Sequence, residues 1–220
     1  MTRRSLRALA IGCSVVALSA CGSSTTADKS TATTSTTAAD APRVLVLGDS
    51  NLFESAAEVD AALRTVGTEP TLRGVIGFGV SQLDFWREEI AKVLAPQDVV
   101  VVGLGTNDAM NDENVEQFPS RLDTFMELFG DRPVIWITHV DVRPGAPVDA
   151  GRTVNEHIRA AAERWPNLTV LDFTEYMDAD PAILHADALH FSPHGREVYA
   201  QAIAAATSEV LGTLVGTEQR

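Results

Sequence analysis

Ser50, Asp187 and His190 are residue types from which a site for covalent acyl transfer can be built. Ser50 follows an apolar run and a glycine, Val44 to Gly48, and opens a helical pattern. Asp187 and His190 stand three residues apart, just before the last predicted helix. At that spacing on a turn, the carboxylate can contact one ring nitrogen while the other nitrogen faces a hydroxyl. This is the arrangement of orienting acid, base and nucleophile in acyl transfer.

Two of these assignments have competitors. Ser50 lies between Asp49 and Asn51, and all three residue types are common helix N-caps. His194 is a second candidate base at the start of the last predicted helix, but it has no Asp three residues before it. We therefore favour His190 as the base.

Negative charge develops on the carbonyl oxygen during acyl transfer, so such a site needs hydrogen-bond donors aimed at that oxygen. Three candidates follow predicted strands: the backbone N–H groups of Ser50 and Gly77 and the side-chain amide of Asn107. Asn107 can alternatively cap the turn before a helix predicted to begin at Val115.

Apolar runs alternate with segments of helical periodicity along most of the chain. The pattern predicts strands at 44–47, 71–76, 99–104, 133–139 and 168–172, helices at 52–66, 81–94, 115–129, 152–165 and 193–211, and irregular structure at 173–189. Near-continuous apolar strands that alternate with helices indicate a parallel sheet covered on both faces. We predict a single three-layer α/β/α domain, of class α/β, with a flavodoxin-like parallel five-stranded sheet.

The carboxyl ends of parallel strands lie along one edge of the sheet, where ligands of open α/β sheets bind. Ser50, Gly77 and Asn107 are therefore expected at a common edge. The loop after the fourth predicted strand carries Asp141 and Arg143 and reaches the same edge. We expect these two side chains either to contact substrate or to form a surface salt bridge.

Four short motifs follow one another along the chain: Gly48-Asp49-Ser50, Val75-Ile76-Gly77, Gly105-Thr106-Asn107-Asp108 and the Asp-x-x-His run from Asp187 to His190. In the second motif, Gly79 gives an alternative register to Gly77. In this order, the four motifs resemble those of the SGNH (GDSL-type) hydrolase family over about residues 43–212. One departure is Asn51, which stands where the family's name motif has leucine.

The resemblance implies the SGNH hydrolase fold, with Ser50 as nucleophile, His190 as base and Asp187 as orienting acid. It also implies that Ser50, Gly77 and Asn107 line an oxyanion hole. We expect no cofactor and no metal ion.

Other patterns that could carry chemistry fit less well. Gly103-Leu104-Gly105 follows a strand as a dinucleotide-binding loop would, but residue 108 is Asp where that fingerprint has Gly. Asp108, Asp112 and Glu113 lack the spacing of a calcium-binding loop. Three further histidines are expected at the surface or at the edge of the core: His139, His157 and His185.

The N-terminal residues 1–20 have the features of a signal peptide. Three arginines precede an apolar run from Ala8 to Ala20, which is too short to span a bilayer. The run ends Leu18-Ser19-Ala20-Cys21 and resembles the bacterial lipobox, so we predict that Cys21 is lipidated. The alternative is a plain signal peptide cleaved after Ala20, which leaves Cys21 as a free thiol.

The remaining chain divides by composition. Residues 21–41 are rich in Ser, Thr and Ala and predict a flexible tether. Residues 42–214 form the predicted esterase domain, and residues 215–220 form a C-terminal tail.

The 220-residue chain carries a formal net charge of −13, which argues against nucleic acid as a partner because nucleic acid needs a basic face. The same charge disfavours docking on anionic lipids. Attachment to a membrane would then depend on acyl chains at Cys21.

Together these features predict an exported, membrane-tethered serine esterase on the extracytoplasmic side of the cell membrane. It would hydrolyse short, acetyl-like esters of a small molecule or a glycan through an acyl-enzyme, as a monomer. Two alternatives stay open: an O-acyltransferase acting on an envelope glycan, and a non-catalytic glycan-binding lipoprotein with a degenerate site.

Overall fold

The computed structural model describes residues 41–95 and 99–218, which contain a sheet of five parallel strands. The strand order is β2-β1-β3-β4-β5, which is the flavodoxin-like order. The predicted fold class is therefore confirmed. The strands are β1 (Arg43–Gly48), β2 (Glu69–Gly74), β3 (Val99–Gly103), β4 (Val134–Ile137) and β5 (Leu168–Leu171).

Helices connect successive strands and follow the last one. The predicted signal peptide, Cys21 and the tether to residue 40 lie outside the described residues. The helices are α1 (Ser50–Glu54), α2 (Ala56–Thr65), α3 (Leu83–Val93), α4 (Asp112–Phe129), α5 (Ala150–Ala161), α6 (Thr174–Ala179) and α7 (Pro193–Glu218), with 3-10 turns at Asp108–Met110 and Pro181–Ile183.

Two apolar cores flank the sheet because successive strand residues point to opposite faces. Leu45 and Leu47 of β1 pack into a core with side chains of α3, α4 and α5, including Trp86 and Phe125. Val44 and Val46 of the same strand pack into a second core with side chains of α2, α6 and α7. The inner strands β1, β3 and β4 are thus apolar on both faces, as the sequence indicates, whereas the edge strand β2 carries Glu69 and Arg73. The domain has three layers.

The long helix α7 belongs to the second core. The stretch from Pro193 to Val215 is long and apolar enough to cross a membrane. Tyr199, Ile203 and Val210 are nevertheless buried in the second core. The helix therefore covers the sheet with one face.

Several element boundaries differ from those predicted. The helix predicted at 52–66 is interrupted at Ser55, which separates α1 from α2. β2 begins at Glu69, two residues before its predicted start, and so includes Pro70. Proline is tolerated there because β2 lies at the edge of the sheet. The segment predicted as irregular contains α6, and α7 continues seven residues beyond its predicted end at Leu211.

Candidate active site

The junction between β1 and α1 fixes the position of Ser50. Asp49 precedes the helix, and its Oδ1 accepts a hydrogen bond from the Asn51 N–H at 2.9 Å. A Cβ on Gly48 would lie 2.5 Å from the Cβ of Leu52, so only glycine permits this tight turn. Ser50 is the first residue of α1, and its N–H is among those at a helix start that have no partner within the helix.

Ser50, His190 and Asp187 form a continuous chain of contacts. His190 Nδ1 lies 2.8 Å from Asp187 Oδ2, and His190 Nε2 lies 3.1 Å from Ser50 Oγ. An ionised carboxylate can only accept a hydrogen bond, so the Nδ1 proton points to Asp187. Nε2 is then the acceptor for the Ser50 hydroxyl. This is the geometry of a nucleophile, a base and an orienting acid.

The turn that carries the pair is itself held by Asp187. Its Oδ1 accepts the backbone N–H groups of Leu189 and His190, each at 3.0 Å. The hydrogen bond from the His190 ring lowers the pKa of Asp187 to about 2. The carboxylate is therefore ionised at neutral pH and fixed against the ring. Ala188, which follows Asp187 in this turn, has a φ of 53°, in the left-handed region that few non-glycine residues adopt.

Asn51 joins the nucleophile helix to the histidine turn. Its Oδ1 accepts the Phe191 N–H at 3.2 Å, and its Nδ2 donates to the Leu189 carbonyl at 3.3 Å. The two backbone groups on either side of His190 are thus bound by the residue that follows Ser50. The sequence offered one signal for this role, an amide at the position where the family's name motif has leucine.

The glycine motif follows β2 and borders the same edge. Gly77 has a φ of 79°, and nothing lies within 4 Å of the position that a Cβ would take. The Gly79 N–H donates to Gln82 Oε1 at 2.6 Å. A Cβ on Gly79 would also lie 2.1 Å from Asp108 Oδ2. Because the N–H of Gly79 is engaged within its own loop, Gly77 stays the candidate oxyanion donor of the two.

The side chain of Asn107 is held from both ends. Its Nδ2 donates to the Phe78 carbonyl at 2.9 Å and lies 3.5 Å from Asp49 Oδ2. Its Oδ1 accepts from Arg143 Nη2 at 3.1 Å. The alternative in which Asn107 caps a helix does not fit, because its side chain makes no capping hydrogen bond. Asn111 caps α4 instead, accepting the Asn114 N–H at 2.8 Å.

The buried carboxyl of Asp49 adds a titratable group beside the site. Asp49 is 2% exposed, and burial raises its pKa to about 6. The carboxylate accepts from the Asn51 N–H, as above, and its other oxygen faces the Asn107 amide. At neutral pH it supplies negative charge near His190.

The other candidate residues make contacts that do not involve Ser50. The ring of His194 is exposed and pairs with Asp180 at 2.8 Å. His139 is buried at the end of β4, and burial lowers its pKa to about 4. Asp108 is buried and accepts the Val80 N–H at 2.8 Å, so it anchors the loop after β2.

Arg143 and Asp141, predicted on the loop after β4, have different surroundings. Arg143 contacts Asn107, as described. Asp141 Oδ1 accepts from the buried Asn155 Nδ2 at 2.8 Å, and its Oδ2 lies 3.9 Å from Arg152. Asp141 also borders an open pocket of about 280 Å³ next to the Asp187–His190 turn. Among the described residues, no cluster of three or more histidine, cysteine or acidic side chains could hold a metal ion.

The fold is similar to those of several solved enzymes. A lipase/acylhydrolase from Enterococcus faecalis superposes with a TM-score of 0.65 at 23% identity, over 76% of this chain and 95% of that one. The C-terminal catalytic domain of Streptococcus pneumoniae peptidoglycan O-acetyltransferase A superposes with a TM-score of 0.64 at 18% identity, over 78% of this chain and 96% of that one. A Clostridium thermocellum family 3 carbohydrate esterase superposes with a TM-score of 0.62 at 15% identity, over 79% of this chain and 98% of that one.

The sequence itself was compared with curated proteins and with family models. No curated protein matches it. The model of the GDSL-like lipase/acylhydrolase family matches residues 20–198, which is most of the chain. The chain therefore belongs to the GDSL-like lipase/acylhydrolase family and is an enzyme of the SGNH/GDSL hydrolase class.

Proposed function

We propose that this hydrolase is an exported, membrane-tethered serine esterase that removes short acyl groups through an acyl-enzyme on Ser50. One observation carries the proposal: the unbroken chain from Ser50 Oγ through the His190 ring to the Asp187 carboxylate. The proposal of a short acyl group draws on two fold neighbours, a peptidoglycan O-acetyltransferase domain and a carbohydrate esterase.

Acylation begins when Ser50 Oγ attacks the ester carbonyl carbon and His190 Nε2 takes the hydroxyl proton. Asp187 stabilises the imidazolium that forms. The carbonyl oxygen gains negative charge, and the N–H groups of Ser50 and Gly77 and the Asn107 amide donate hydrogen bonds to it. Arg143 on Asn107 Oδ1 withdraws electron density from that amide and makes it a stronger donor. The tetrahedral species then collapses, and His190 returns its proton to the departing alcohol oxygen.

Deacylation repeats these steps with water. His190 takes a proton from the water, the water oxygen attacks the acyl carbon, and the bond to Ser50 Oγ breaks as Oγ regains its proton. The acid product leaves and the enzyme returns to its starting state. No cofactor enters either half-reaction.

Export and tethering rest on the sequence of residues 1–41. The basic and apolar segments before Cys21 suit a cleaved lipoprotein signal, and the acidic chain needs an acyl anchor to stay on a membrane. Cys21→Ser should move the protein from the membrane fraction to the medium or block its processing. An unchanged membrane fraction would contradict lipid anchoring at Cys21.

A series of p-nitrophenyl esters of increasing chain length tests the activity and the acyl preference together. The wild-type protein should hydrolyse the acetate and butyrate faster than esters of eight or more carbons, and Ser50→Ala should hydrolyse none of them above background. A preference for the long esters would contradict the short-acyl proposal. Turnover retained by Ser50→Ala would contradict the proposed nucleophile.

Transfer of the acyl group to a sugar hydroxyl is the second candidate function, favoured by the fold shared with the peptidoglycan O-acetyltransferase domain. A sugar hydroxyl would replace water in deacylation and lose its proton to the same His190. Product analysis with and without a sugar acceptor separates the two: an acylated sugar indicates transfer, and free acid alone indicates hydrolysis.

A further inference from the structure

The Asn107 side chain has two amide protons, and only one of them can serve the reaction. One proton is taken by the Phe78 carbonyl, which lies 2.9 Å from Asn107 Nδ2. The other has the carboxylate of Asp49 as its acceptor within the protein, with Asp49 Oδ2 at 3.5 Å from Nδ2. A hydrogen bond to an ionised carboxylate normally closes to about 2.7–2.9 Å. The second proton is therefore held only loosely and is the one that the carbonyl oxygen of a substrate can accept.

Asp49 is a strong competitor for this proton. Its carboxyl is buried, where water competes little for its hydrogen bonds and each such bond is strengthened. If the Asn107 amide turned toward Asp49, the second proton would be used inside the protein. The carbonyl oxygen would then lose one of its donors as its charge develops. The oxyanion hole therefore needs a group that holds the amide away from Asp49.

Arg143 binds the opposite end of the same amide. Its Nη2 donates to Asn107 Oδ1 at 3.1 Å. This is the one hydrogen bond that the Arg143 side chain makes within residues 41–95 and 99–218, and its Nε is buried there without a partner. A guanidinium can only donate and the Phe78 carbonyl can only accept, so these two contacts set the orientation of the amide.

Arg143 reaches Asn107 from a rigid support because its loop is tied to α5. Asn155 is fully buried in α5, and its Oδ1 accepts the His139 N–H at 3.0 Å. Its Nδ2 donates to the His139 carbonyl at 2.7 Å and to Asp141 Oδ1 at 2.8 Å. The stretch just before Arg143 is thus fixed to the core, and the guanidinium can resist a movement of the amide.

We propose that Arg143 is a positioning residue, which holds the Asn107 amide so that its second proton serves the carbonyl oxygen of the substrate instead of Asp49. Arg143 acts through Asn107 and does not itself bind substrate. The inference rests on the proposed esterase function and names a residue on which its oxyanion hole depends.

Steady-state kinetics of Arg143 variants on p-nitrophenyl acetate at pH 8 test this role. Arg143→Ala should lower kcat about 10- to 100-fold with KM nearly unchanged, somewhat less than the loss of the donor itself. Arg143→Lys keeps a cationic donor and should recover kcat to within about fivefold of wild type. Arg152→Ala is the matched control: Arg152 binds Asp149 Oδ1 at 2.8 Å, at the other end of the same loop, and its loss should change neither kcat nor KM.

Two further measurements isolate the competition with Asp49. Asp49→Asn removes the carboxylate, so Arg143→Ala made in that background should lower kcat by less than about threefold. A crystal structure of the Arg143→Ala protein should show Asn107 Nδ2 within about 3 Å of Asp49 Oδ2, against 3.5 Å in the wild type. The structure does not depend on turnover, so it tests the inference even if Asp49→Asn is inactive.

The outcomes separate the inference from the function beneath it. An unchanged distance in the Arg143→Ala structure, or a kcat within about threefold of wild type, would overturn the inference. A raised KM with an unchanged kcat would show that Arg143 binds substrate directly, and an equal loss of kcat with and without the Asp49 carboxylate would show that Asp49 is not the competitor; either result also overturns it. If the wild-type protein does not hydrolyse p-nitrophenyl acetate, the proposed function fails, and the distance in the variant structure still decides the inference.

Discussion

Replacement of Asn51 by alanine should uncouple the base from the nucleophile. The Asn51 side chain makes two hydrogen bonds to the backbone on either side of His190, and it belongs to the same helix as Ser50. Alanine removes both bonds and leaves the Phe191 N–H, which lies in the protein interior, without its acceptor. Of the hydrogen bonds described between the histidine turn and α1, the Ser50–His190 contact then remains.

The size of the effect follows from that contact. The Ser50 Oγ to His190 Nε2 distance of 3.1 Å is already near the upper end of the range of about 2.6–3.2 Å for proton transfer. A displacement of the turn by about 1 Å would break it, and a misplacement of that size costs roughly 100-fold in rate, or about 2.7 kcal/mol. The unpaired N–H should also cost about 1–3 kcal/mol of stability.

Steady-state kinetics on p-nitrophenyl acetate and thermal unfolding measure both effects. Asn51→Ala should lower kcat about 100-fold with little change in KM, because both hydrogen bonds of the Asn51 side chain go to the turn that carries the base. Asn167→Ala is the control: Asn167 likewise makes two side-chain hydrogen bonds to the backbone, from its Nδ2 to the carbonyls of Gly130 and Arg132 at 2.8 Å each, but at the amino ends of β4 and β5. It should lower Tm and leave kcat intact. If Asn51→Ala lowers Tm while kcat stays within about threefold of wild type, the positioning role is wrong.

Three further substitutions test other parts of the site. Asn107→Ala should lower kcat by about 10²–10³ with a similar KM, as loss of an oxyanion donor does, and a wild-type kcat in a destabilised variant would refute that role. Asp187→Asn should lower kcat roughly 10²–10⁴-fold in a folded protein, and a loss below about tenfold would contradict its orienting role. Because the pKa of Asp49 is raised from 3.8 to about 6, the folded protein binds more protons than the unfolded chain between about pH 4 and 6. Stability should fall by about 3 kcal/mol as pH rises through this window, and Asp49→Asn should remove that fall in urea unfolding at pH 4 and pH 7. An unchanged pH dependence in the variant would show that another group titrates there.

The sheet was predictable from the sequence because its inner strands β1, β3 and β4 are short, continuous apolar runs that alternate with segments of helical periodicity. Shorter features were not. Helix α6 has six residues, too few for a periodic pattern to stand out, so its segment was predicted as irregular. The break between α1 and α2 was also missed, since Ser55 interrupts the helix without glycine or proline.

The candidate site shows the same division between local and distant information. Ser50, Asp187 and His190 could be singled out because each stands in a short motif beside a strand end or a helix start. The contacts that hold them could not, because they join residues far apart in sequence. Asn51 meets Leu189 and Phe191 across about 140 residues, and Arg143 meets Asn107 across 36. Only the folded chain brings these groups together.

Covalent labelling of the full-length protein with a fluorophosphonate, followed by peptide mass spectrometry, tests most directly whether Ser50 is the activated nucleophile. A fluorophosphonate reacts with a serine whose hydroxyl is deprotonated by a neighbouring base. The account predicts one adduct, on the peptide that contains Ser50, and a labelling rate that falls sharply in a folded His190→Ala variant. An adduct on another serine, such as Ser81 or Ser192, or no adduct at all, would contradict the account.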